Sequence, residues 1–316
     1  MDLDVVFLGT GGSVPSARRN TASVLVRRGG DRILVDCGEG TQRQLQRSVG
    51  LIPVDSIFVT HLHADHYLGL PGLLKSYDMQ DRVEPLDIYG PPGLVDLFAT
   101  IARIVGRPTY EVTLHELNRG ELVERDGYVI EPFDVDHRIV ANGYALYEDA
   151  RPGRFDPEAA QALGVEPGPA YGALQRGESV PGAGGEVRPE QVMEPDRPGR
   201  KLVVTGDTRP CEETRLAAHD AELLIHDSTF TTAEADRAKL TGHSTCVEAA
   251  ELAAEAGVGM LALVHVSARH FIPDVLAEAR AAFAETVAPR DFDVVEIPLP
   301  ERGPPRLIEN GAREPT

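Results

Sequence analysis

Short apolar and β-branched segments, separated by glycine-containing turns, alternate through the first sixty residues. Such segments are typical of buried or half-buried strands, so the chain is predicted to begin with a sheet. After His66, and again within residues 93–105, apolar residues recur every three or four positions, which predicts helices. The strands predicted for this first half are residues 3–8, 23–26, 33–35, 56–59 and 86–89, with further strands up to about residue 147.

The same alternation returns after residue 200. Ser244 or Thr245 suits the start of a helix, because a hydroxyl can accept a hydrogen bond from a free N–H group of the first turn. The Pro- and Arg/Glu-rich tail after Pro300 is predicted to fray. Strands are predicted at residues 201–205, 223–225, 260–264 and 294–297, and helices at residues 245–256 and 273–287, which places the chain in the α/β class.

Residues 151–199 interrupt this pattern, because they are crowded with Pro and Gly and show one short helical pattern, at residues 157–163. A loop of this length inside a compact domain is usually either functional or disordered. We therefore divide the chain into residues 1–150, an inserted arm at residues 151–200, and residues 201–316. Composition alone leaves open whether the arm has a role or is a solvated insertion.

Composition and charge narrow the function classes. The 316 residues carry 31 Lys and Arg against 50 Asp and Glu, and a net charge of −19, taken alone, argues against a nucleic-acid partner. The chain lacks an apolar run long enough for a membrane span, and its start lacks the features of a signal peptide, so we expect a soluble, cytoplasmic protein without a membrane partner. Cys37, Cys211 and Cys246 lie too far apart for a CxxC metal site and are interpreted as reduced thiols.

The strongest chemical signal is the sequence HLHADH at residues 61–66, directly after the predicted strand 56–59. Three imidazoles and one carboxylate within six residues suit Zn²⁺, with Mn²⁺ or Fe²⁺ as alternatives, and the lack of a nearby Cys argues against a closed structural zinc site. The alternative, solvated histidines at a strand end, is disfavoured because clustered imidazoles without a metal are costly.

This motif and its neighbours resemble the tRNase Z family of tRNA 3′-processing endonucleases, within the metallo-β-lactamase superfamily. The resemblance covers nearly the whole chain and implies an αββα sandwich with an inserted flexible arm. The matching segments are FLGTGG at 7–12, PSARRN at 15–20, DCGEGTQ at 36–42, HLHADH at 61–66, IYGP at 88–91, TGDTRP at 205–210, HDST at 226–229, HST at 243–245 and HVSAR at 265–269.

The resemblance implies two Zn²⁺ ions per subunit. It assigns His61, His63 and His137 to one ion, Asp65, His66 and His265 to the other, and makes Asp207 the bridging ligand. Two such cations activate a water nucleophile and neutralise charge on a phosphodiester.

The resemblance also implies three catalytic residues. Asp65 acts as general base, and His243 protonates or stabilises the leaving 3′-oxygen. Asp227 is expected to orient His243, although many members have Glu at this position, and the shorter side chain alters its reach.

Substrate contacts are also expected from the resemblance. In the PSARRN loop they are Arg18, Arg19 and Asn20, with Ala17 where Lys is common and Arg18 compensating. Residues 15–47 carry seven arginines against three acids, a local charge of +4 within the acidic chain. Arg269 either contacts a phosphate or is solvated.

The inserted segment resembles the family's flexible arm, an exosite for the tRNA elbow. Gly168, Pro169 and Tyr171 match its Gly-Pro motif. Residues 151–200 carry six arginines and eight acids, although a family arm is expected to be more basic. The resemblance further implies a homodimer in which one subunit's arm serves the other's active site.

The sequence therefore predicts a metal-dependent endoribonuclease that removes the 3′ trailer from precursor tRNA, leaving a 3′-hydroxyl on the tRNA and a 5′-phosphate on the trailer. Two alternatives remain: a small-molecule phosphodiesterase, arylsulfatase or thioesterase of the same superfamily, and an inactive RNA-binding member. Of the other histidines, His115 and His219 are interpreted as surface residues, and His226 and His270 as candidate neighbours of the metal ligands.

Overall fold

A computed structural model describes residues 1–310. Within these residues the chain divides into two compact units, one formed by residues 1–147 together with the segment from residue 200 onward, and the other by residues 148–199. The larger unit contains a sheet of eight strands and a sheet of seven strands. A buried apolar cluster joins the two sheets, and separate clusters join each sheet to helices on its outer face. This layering is the αββα metallo-β-lactamase fold that the sequence predicts.

The strands, of which β10 and β11 belong to the smaller unit, are numbered in chain order through both units. They are β1 (Leu3–Gly9), β2 (Ser23–Arg28), β3 (Asp31–Val35), β4 (Ser56–Phe58), β5 (Leu86–Gly90), β6 (Val112–Glu116), β7 (Val123–Arg125), β8 (Tyr128–Asp134), β9 (Asn142–Glu148), β10 (Val180–Gly182), β11 (Gly185–Val187), β12 (Lys201–Val204), β13 (Leu223–Asp227), β14 (Met260–Val264), β15 (Thr286–Val287), β16 (Val294–Glu296) and β17 (Arg306–Ile308).

The helices lie between these strands. They are α1 (Thr41–Ser48), α2 (Ala64–Tyr67), α3 (Leu70–Met79), α4 (Leu94–Val105), α5 (Pro157–Ala162), α6 (Pro169–Gln175), α7 (Glu212–Ala218), α8 (Ala235–Thr241), α9 (Cys246–Ala256) and α10 (Ile272–Ala282). Along the part of the chain that the structure covers, none of them has both the length and the apolar character needed to cross a bilayer.

The strand order explains why functional side chains gather at one edge. The first sheet runs β17-β16-β1-β2-β3-β4-β5-β6, and the second runs β15-β14-β13-β12-β9-β8-β7. Strands β3 to β6 are parallel, as are β12 to β15. The carboxyl ends of parallel strands lie at the same edge of a sheet, which is where α/β proteins commonly place their sites.

Side-chain alternation accounts for the two-sided burial of these sheets. In β14, Met260 and Ala262 pack between the sheets, whereas Leu261 and Leu263 pack against the outer helices. A strand with apolar residues on both faces is stable only when both faces are covered. Burial on both faces therefore accounts for the continuous apolar sequence of β14.

Two predicted boundaries were wrong. The helix predicted at residues 273–287 ends at Ala282, Phe283 is extended, and residues Thr286–Val287 form β15, which pairs in parallel with β14. The tail is not wholly frayed, because β17 pairs antiparallel with β16. In both places pairing with a buried neighbouring strand outweighs local propensity. Residues 311–316 of the predicted third segment lie outside the described part.

The smaller unit has a hydrophobic core of its own. Besides the predicted helix, now α5, it contains α6 and the hairpin β10–β11. Arg151 and Arg197 exchange two backbone hydrogen bonds of 2.8 Å, which pair the two ends of the segment. The core side chains are Ala160, Val165, Leu174, Val180, Val187 and Val192.

Candidate active site

The HLHADH segment lies where β4 ends at the edge of the first sheet. His61 lies three residues after the end of the strand, His63 is the N-cap residue of the short helix α2, and Asp65 and His66 lie in that helix. His137 follows β8, and Asp207 and His265 follow β12 and β14. The described structure brings all seven of these side chains together, in agreement with their placement at strand ends.

Three groups of potential ligand atoms result, and one of them, formed by Asp207, Asp227, His243 and His265, shares a residue with each of the other two. His61, His63, His137 and Asp207 form one group, and Asp65, His66 and His265 form another, with the ligand atoms of each within 4.8 Å of one another. Asp207 lies between the groups. Its Oδ1 atom is 3.3 Å from His66 Nε2, and its Oδ2 atom is 3.6 Å from His61 Nε2 and 3.5 Å from His265 Nε2.

A glycine places Asp207 in this position. Gly206 has a φ of +64°, and a Cβ there would lie 2.7 Å from the side chain of Thr60. Only glycine combines a left-handed backbone with so close an approach. The TGD sequence therefore allows β12 to end against the residue that precedes His61.

The outward-facing nitrogen of each of three histidines is held by a specific acceptor. His66 Nδ1 lies 2.7 Å from Asp36 Oδ2, and His137 Nδ1 lies 2.7 Å from the Gly242 carbonyl oxygen. The Thr229 hydroxyl lies 2.8 Å from His265 Nδ1. A carbonyl oxygen only accepts, so His137 must carry its proton on Nδ1 and direct the lone pair of Nε2 inward.

The residues fit a bound cation. His61 Nε2 lies 2.9 Å from His63 Nδ1, and His137 Nε2 lies 3.2 Å from the same atom, so three ring nitrogens converge. Burial is the main cause that lowers the pKa of each of these three histidines, which keeps them neutral and able to ligate. Among the described residues, the buried His66 Nε2 and Asp207 Oδ1 lie 3.3 Å apart but form no hydrogen bond of suitable geometry. Such atoms are costly unless a ligand satisfies them.

Asp207 and His265 have opposite pKa shifts. Burial raises the pKa of the Asp207 carboxyl, but the charges of His265, His66 and His61 outweigh it and hold that pKa well below the ordinary value. Burial lowers the pKa of His265, and the carboxylates of Asp207, Asp65 and Asp227 outweigh it, which raises the pKa to about 9. A divalent cation bound here would replace the proton as the partner of these carboxylates.

A second pair lies beside the ligand groups. His243 Nδ1 is 2.8 Å from Asp227 Oδ2, so the shorter acid reaches the histidine despite lacking the extra methylene of Glu. Burial lowers the pKa of His243, but the charge and hydrogen bond of Asp227 outweigh burial and raise that pKa above its ordinary value. With Nδ1 held, Nε2 is the nitrogen left for proton exchange.

Sequence reasoning missed three site residues. Asp36 accepts from Thr60 as well as His66, Thr229 donates its hydroxyl to Asp227 Oδ1 at 2.6 Å, and the Ser13 amide donates to Asp65 Oδ2 at 2.9 Å. Asp36 and Thr229 belong to the matched DCGEGTQ and HDST segments, but nothing in those segments gives their partners. Ser13, Asp36 and His265 all have positive φ, a strain that is frequent at functional sites.

The residues of the PSARRN loop that are expected to contact the substrate differ in their exposure to solvent. Arg18 is exposed. Arg19 turns inward, and its guanidinium donates to Thr10 Oγ1 and to the Pro289 carbonyl oxygen, because both acceptors line the base of the loop. Asn20 Nδ2 donates to the Glu39 carbonyl oxygen at 2.9 Å. The side chains of Arg19 and Asn20 therefore hold the loop together, and Arg18 is the one that faces solvent.

The remaining candidates fall outside the ligand groups. Arg269 pairs with Glu234 at 3.1 Å, so it is not simply solvated. Within the arm, Gly168 and Pro169 are exposed at the start of α6. Tyr171 packs against Phe155, with ring centroids 4.7 Å apart and ring planes tilted by 54°.

The other histidines are placed as follows. His115 pairs with Asp87, His219 with Asp220, and His270 with Glu234. His226 is buried, and its Nδ1 contacts the Asp227 carbonyl oxygen.

Comparisons with known proteins agree with this geometry. The profile of the metallo-β-lactamase superfamily matches residues 17–265. Ribonuclease Z of Natronomonas pharaonis is 49% identical over 310 residues, which span 95% of this chain and 100% of that protein. Ribonuclease Z of Methanosarcina acetivorans is 45% identical over 301 residues, 94% of this chain and 98% of that one. The crystal structure of the short form of human tRNase Z superimposes with a TM-score of 0.68 at 28% identity, covering 93% of this chain and 99% of that chain.

Proposed function

Because the chain belongs to the ribonuclease Z family of the metallo-β-lactamase superfamily, we propose a role for each site residue in tRNA 3′-end processing. The protein is a metal-dependent endoribonuclease that removes the 3′ trailer from precursor tRNA, leaving a 3′-hydroxyl and a trailer 5′-phosphate. The observation that carries this conclusion is the near-complete coverage by ribonuclease Z relatives. The small-molecule hydrolase and the inactive RNA-binding protein are not favoured.

The donor set supports two Zn²⁺ ions. His61, His63 and His137 would hold one ion, and Asp65, His66 and His265 the other. Asp207 would bridge them, because its two oxygens face both groups. When bound, such ions supply Lewis-acid activation of water and neutralisation of phosphate charge. Metal analysis of the purified protein tests the number and identity of the ions, and a single ion per chain would contradict the two-group assignment.

Asp65 is proposed to position the attacking water by accepting its proton. Burial raises the pKa of this carboxyl, but the hydrogen bond from His265 and the charges of His66 and His265 outweigh it, and the net pKa is lowered. The side chain is therefore ionised at neutral pH. The Ser13 amide and His265 fix Oδ2, which orients the carboxylate.

His243 is proposed to donate a proton to the leaving 3′-oxygen. Asp227 supports this role in two ways: it holds Nδ1 so that Nε2 exchanges the proton, and its charge favours the protonated imidazole. Asp227 is itself fixed, because it also accepts from the Thr208 and Thr229 amides. Asp65→Ala and His243→Ala should each abolish cleavage while binding of precursor tRNA largely survives.

A cleavage assay tests the function directly. Purified protein is incubated with precursor tRNAs that do or do not encode CCA, and the 3′ ends of the products are mapped. A discrete tRNA product with a 3′-hydroxyl is expected from at least one substrate. An intact protein that hydrolyses bis(p-nitrophenyl) phosphate but leaves both precursors uncut would reverse the assignment.

We further propose that residues 148–199 form the tRNA-binding exosite. Support comes from the self-contained core of this unit and from its exposed Gly168-Pro169 step. The reciprocal backbone hydrogen bonds between Arg151 and Arg197 bring the two ends of this unit together, so the residues between them can be deleted. Replacing residues 152–196 by Asn-Gly converts that pair into a two-residue hairpin. Cleavage of precursor tRNA should then fall at least about tenfold, with hydrolysis of bis(p-nitrophenyl) phosphate kept.

A homodimer in which the arm acts on the partner's site is also proposed. Mixing subunits tests it: one subunit lacks residues 152–196, and the other keeps the arm but carries Asp65→Ala. Mixed dimers should recover cleavage of precursor tRNA that neither parent shows. Failure to recover, in a sample whose mixed dimers are detected by native mass spectrometry, would contradict an arm that acts between subunits.

A further inference from the structure

Asp291 forms a hydrogen-bond centre outside the ligand groups, in the loop between β15 and β16. Its Oδ1 atom accepts from the Thr10 amide at 3.1 Å and the Thr10 hydroxyl at 2.9 Å. Its Oδ2 atom accepts from the Asn20 amide at 2.7 Å and from Gln44 Nε2 at 2.9 Å. One carboxylate therefore connects three segments of the first sheet's edge to a loop near the end of the chain.

Only an ionised carboxylate satisfies these four partners. The amides of Thr10 and Asn20 and the Gln44 Nε2 are donors. The Thr10 hydroxyl accepts from Arg19, so its own hydrogen is directed at Asp291. An asparagine would turn an NH₂ group toward at least one of these donors, although its shape is nearly the same.

The loop that carries Asp291 is itself held firmly. Phe292 donates its amide to the Phe7 carbonyl oxygen at 2.6 Å, and the Phe7 amide donates to the Asp293 carbonyl oxygen at 3.0 Å. Gln44 is buried and also donates to the Leu8 carbonyl oxygen. Asp291 thus stands on a fixed base formed by β1 and α1.

The segment between β1 and β2, which contains the PSARRN loop, depends on Asp291 to different degrees in its two halves. The first half has other attachments, because Gly11 pairs with Val266, Gly12 donates to the Val266 carbonyl oxygen, and Ser13 donates to Asp65. The second half is attached through the Asn20 amide to Asp291, through the Arg19 guanidinium to Thr10 and Pro289, and through the Asn20 side chain and carbonyl to Glu39 and Gly11. Between these attachments only Arg18 extends an exposed cation.

We propose that Asp291 is a positioning residue that fixes Arg18 to Asn20 for binding the phosphate backbone of precursor tRNA. Asp291 does not touch the substrate and acts through the loop. This inference rests on the proposed role of Arg18 in substrate binding. Asp291 should affect the affinity for precursor tRNA and not the rate of the cleavage step, because the contact between Ser13 and Asp65 is held by other attachments.

The test compares Asp291→Asn with Asp78→Asn in the full-length, zinc-loaded protein. Asp78 is a matched control, because it also accepts from a threonine amide and hydroxyl, those of Thr109, at 2.7 and 2.8 Å. In Asp291→Asn the KM for precursor tRNA should rise about tenfold with kcat nearly unchanged. Zinc content and hydrolysis of bis(p-nitrophenyl) phosphate should match the wild type. Asp78→Asn should leave all four measurements unchanged.

Hydrogen exchange and a double-mutant cycle separate the possible failures. Exchange at the Asn20 amide should accelerate in Asp291→Asn, since that N–H loses its acceptor. Adding Arg18→Ala to Asp291→Asn should raise KM no further than the larger single effect, because both changes act on one contact. Unchanged hydrogen exchange at the Asn20 amide would show that Asp291 does not hold this part of the loop. Faster exchange with unchanged KM, while Arg18→Ala does raise KM, would overturn the positioning role alone. If neither change raises KM, the proposed substrate role of the loop fails instead.

Discussion

The Nδ1 atom of His243 lies 2.8 Å from Oδ2 of Asp227, and the Thr229 hydroxyl links the other oxygen of that carboxylate to His265. The proposed proton donor and a proposed metal ligand are thus oriented by one carboxylate and one hydroxyl. Their burial makes both orienting groups sensitive to small changes, since a lost partner leaves a polar atom without water.

Replacing Asp227 with Asn should shift the pH dependence of cleavage. The pKa of His243 is raised because the charge of Asp227 outweighs burial, so removing that charge leaves burial to lower it. A proton donor must be protonated to act, so the loss of activity at high pH should begin at a lower pH in the variant. Single-turnover cleavage rates measured over a range of pH show where this loss of activity begins. Asp220→Asn, which alters the exposed pair with His219, is the control and should leave the profile unchanged.

Replacing Asp36 with Asn should weaken metal binding by about 10- to 100-fold, the usual effect of losing an acceptor behind a ligating histidine. The carboxylate holds His66 Nδ1 at 2.7 Å and so directs Nε2 toward the site. Competition with a chromogenic chelator measures the affinity. As a control, Asp87→Asn removes a similar partner from His115, 3.0 Å away at the surface. This change should leave the metal affinity unaltered. Equal affinity in wild type and Asp36→Asn would contradict the orienting role.

Metal removal should lower thermal stability as well as activity. The site concentrates Asp65, Asp207 and several imidazoles, and within residues 1–310 neither His66 Nε2 nor Asp207 Oδ1 forms a hydrogen bond. A ligand that binds only the folded state stabilises it by about 4 kcal/mol at a thousandfold excess over its Kd. Calorimetry of chelator-treated and zinc-reloaded protein should therefore show a clear rise in Tm on reloading. An unchanged Tm would indicate that these residues bind no ion tightly.

The sequence was sufficient for the elements that position the site. Buried strands are recognisable from composition and end where polar residues begin. The sequence therefore indicates the strand ends after which HLHADH, His137, Asp207 and His265 lie. The net charge of −19 was a poor guide, since a sum over the chain conceals a local excess of arginine and the charge of bound cations.

The contacts behind the ligands were beyond sequence reasoning. Asp36 pairs with a residue 30 positions away, and Asp291 with residues more than 270 positions away. Such partners depend on how the sheets pack, and the positive φ of Asp36 appears in no side-chain pattern. The core of the arm was also missed, because its apolar residues are spaced between Pro and Gly without the period of a helix or strand.

Replacing Thr229 with Val should uncouple the two histidines. Valine keeps the shape but removes the hydroxyl that donates to Asp227 at 2.6 Å and contacts His265 Nδ1 at 2.8 Å. A buried donor left unpaired costs about 1–3 kcal/mol, so urea denaturation of the zinc-free protein should show a loss of that size. Zinc affinity should fall too, because His265 loses the acceptor that sets its tautomer. Thr229→Ser retains the hydroxyl and should restore zinc affinity and most of the stability. Unchanged zinc affinity in Thr229→Val would show that the hydroxyl has no orienting role.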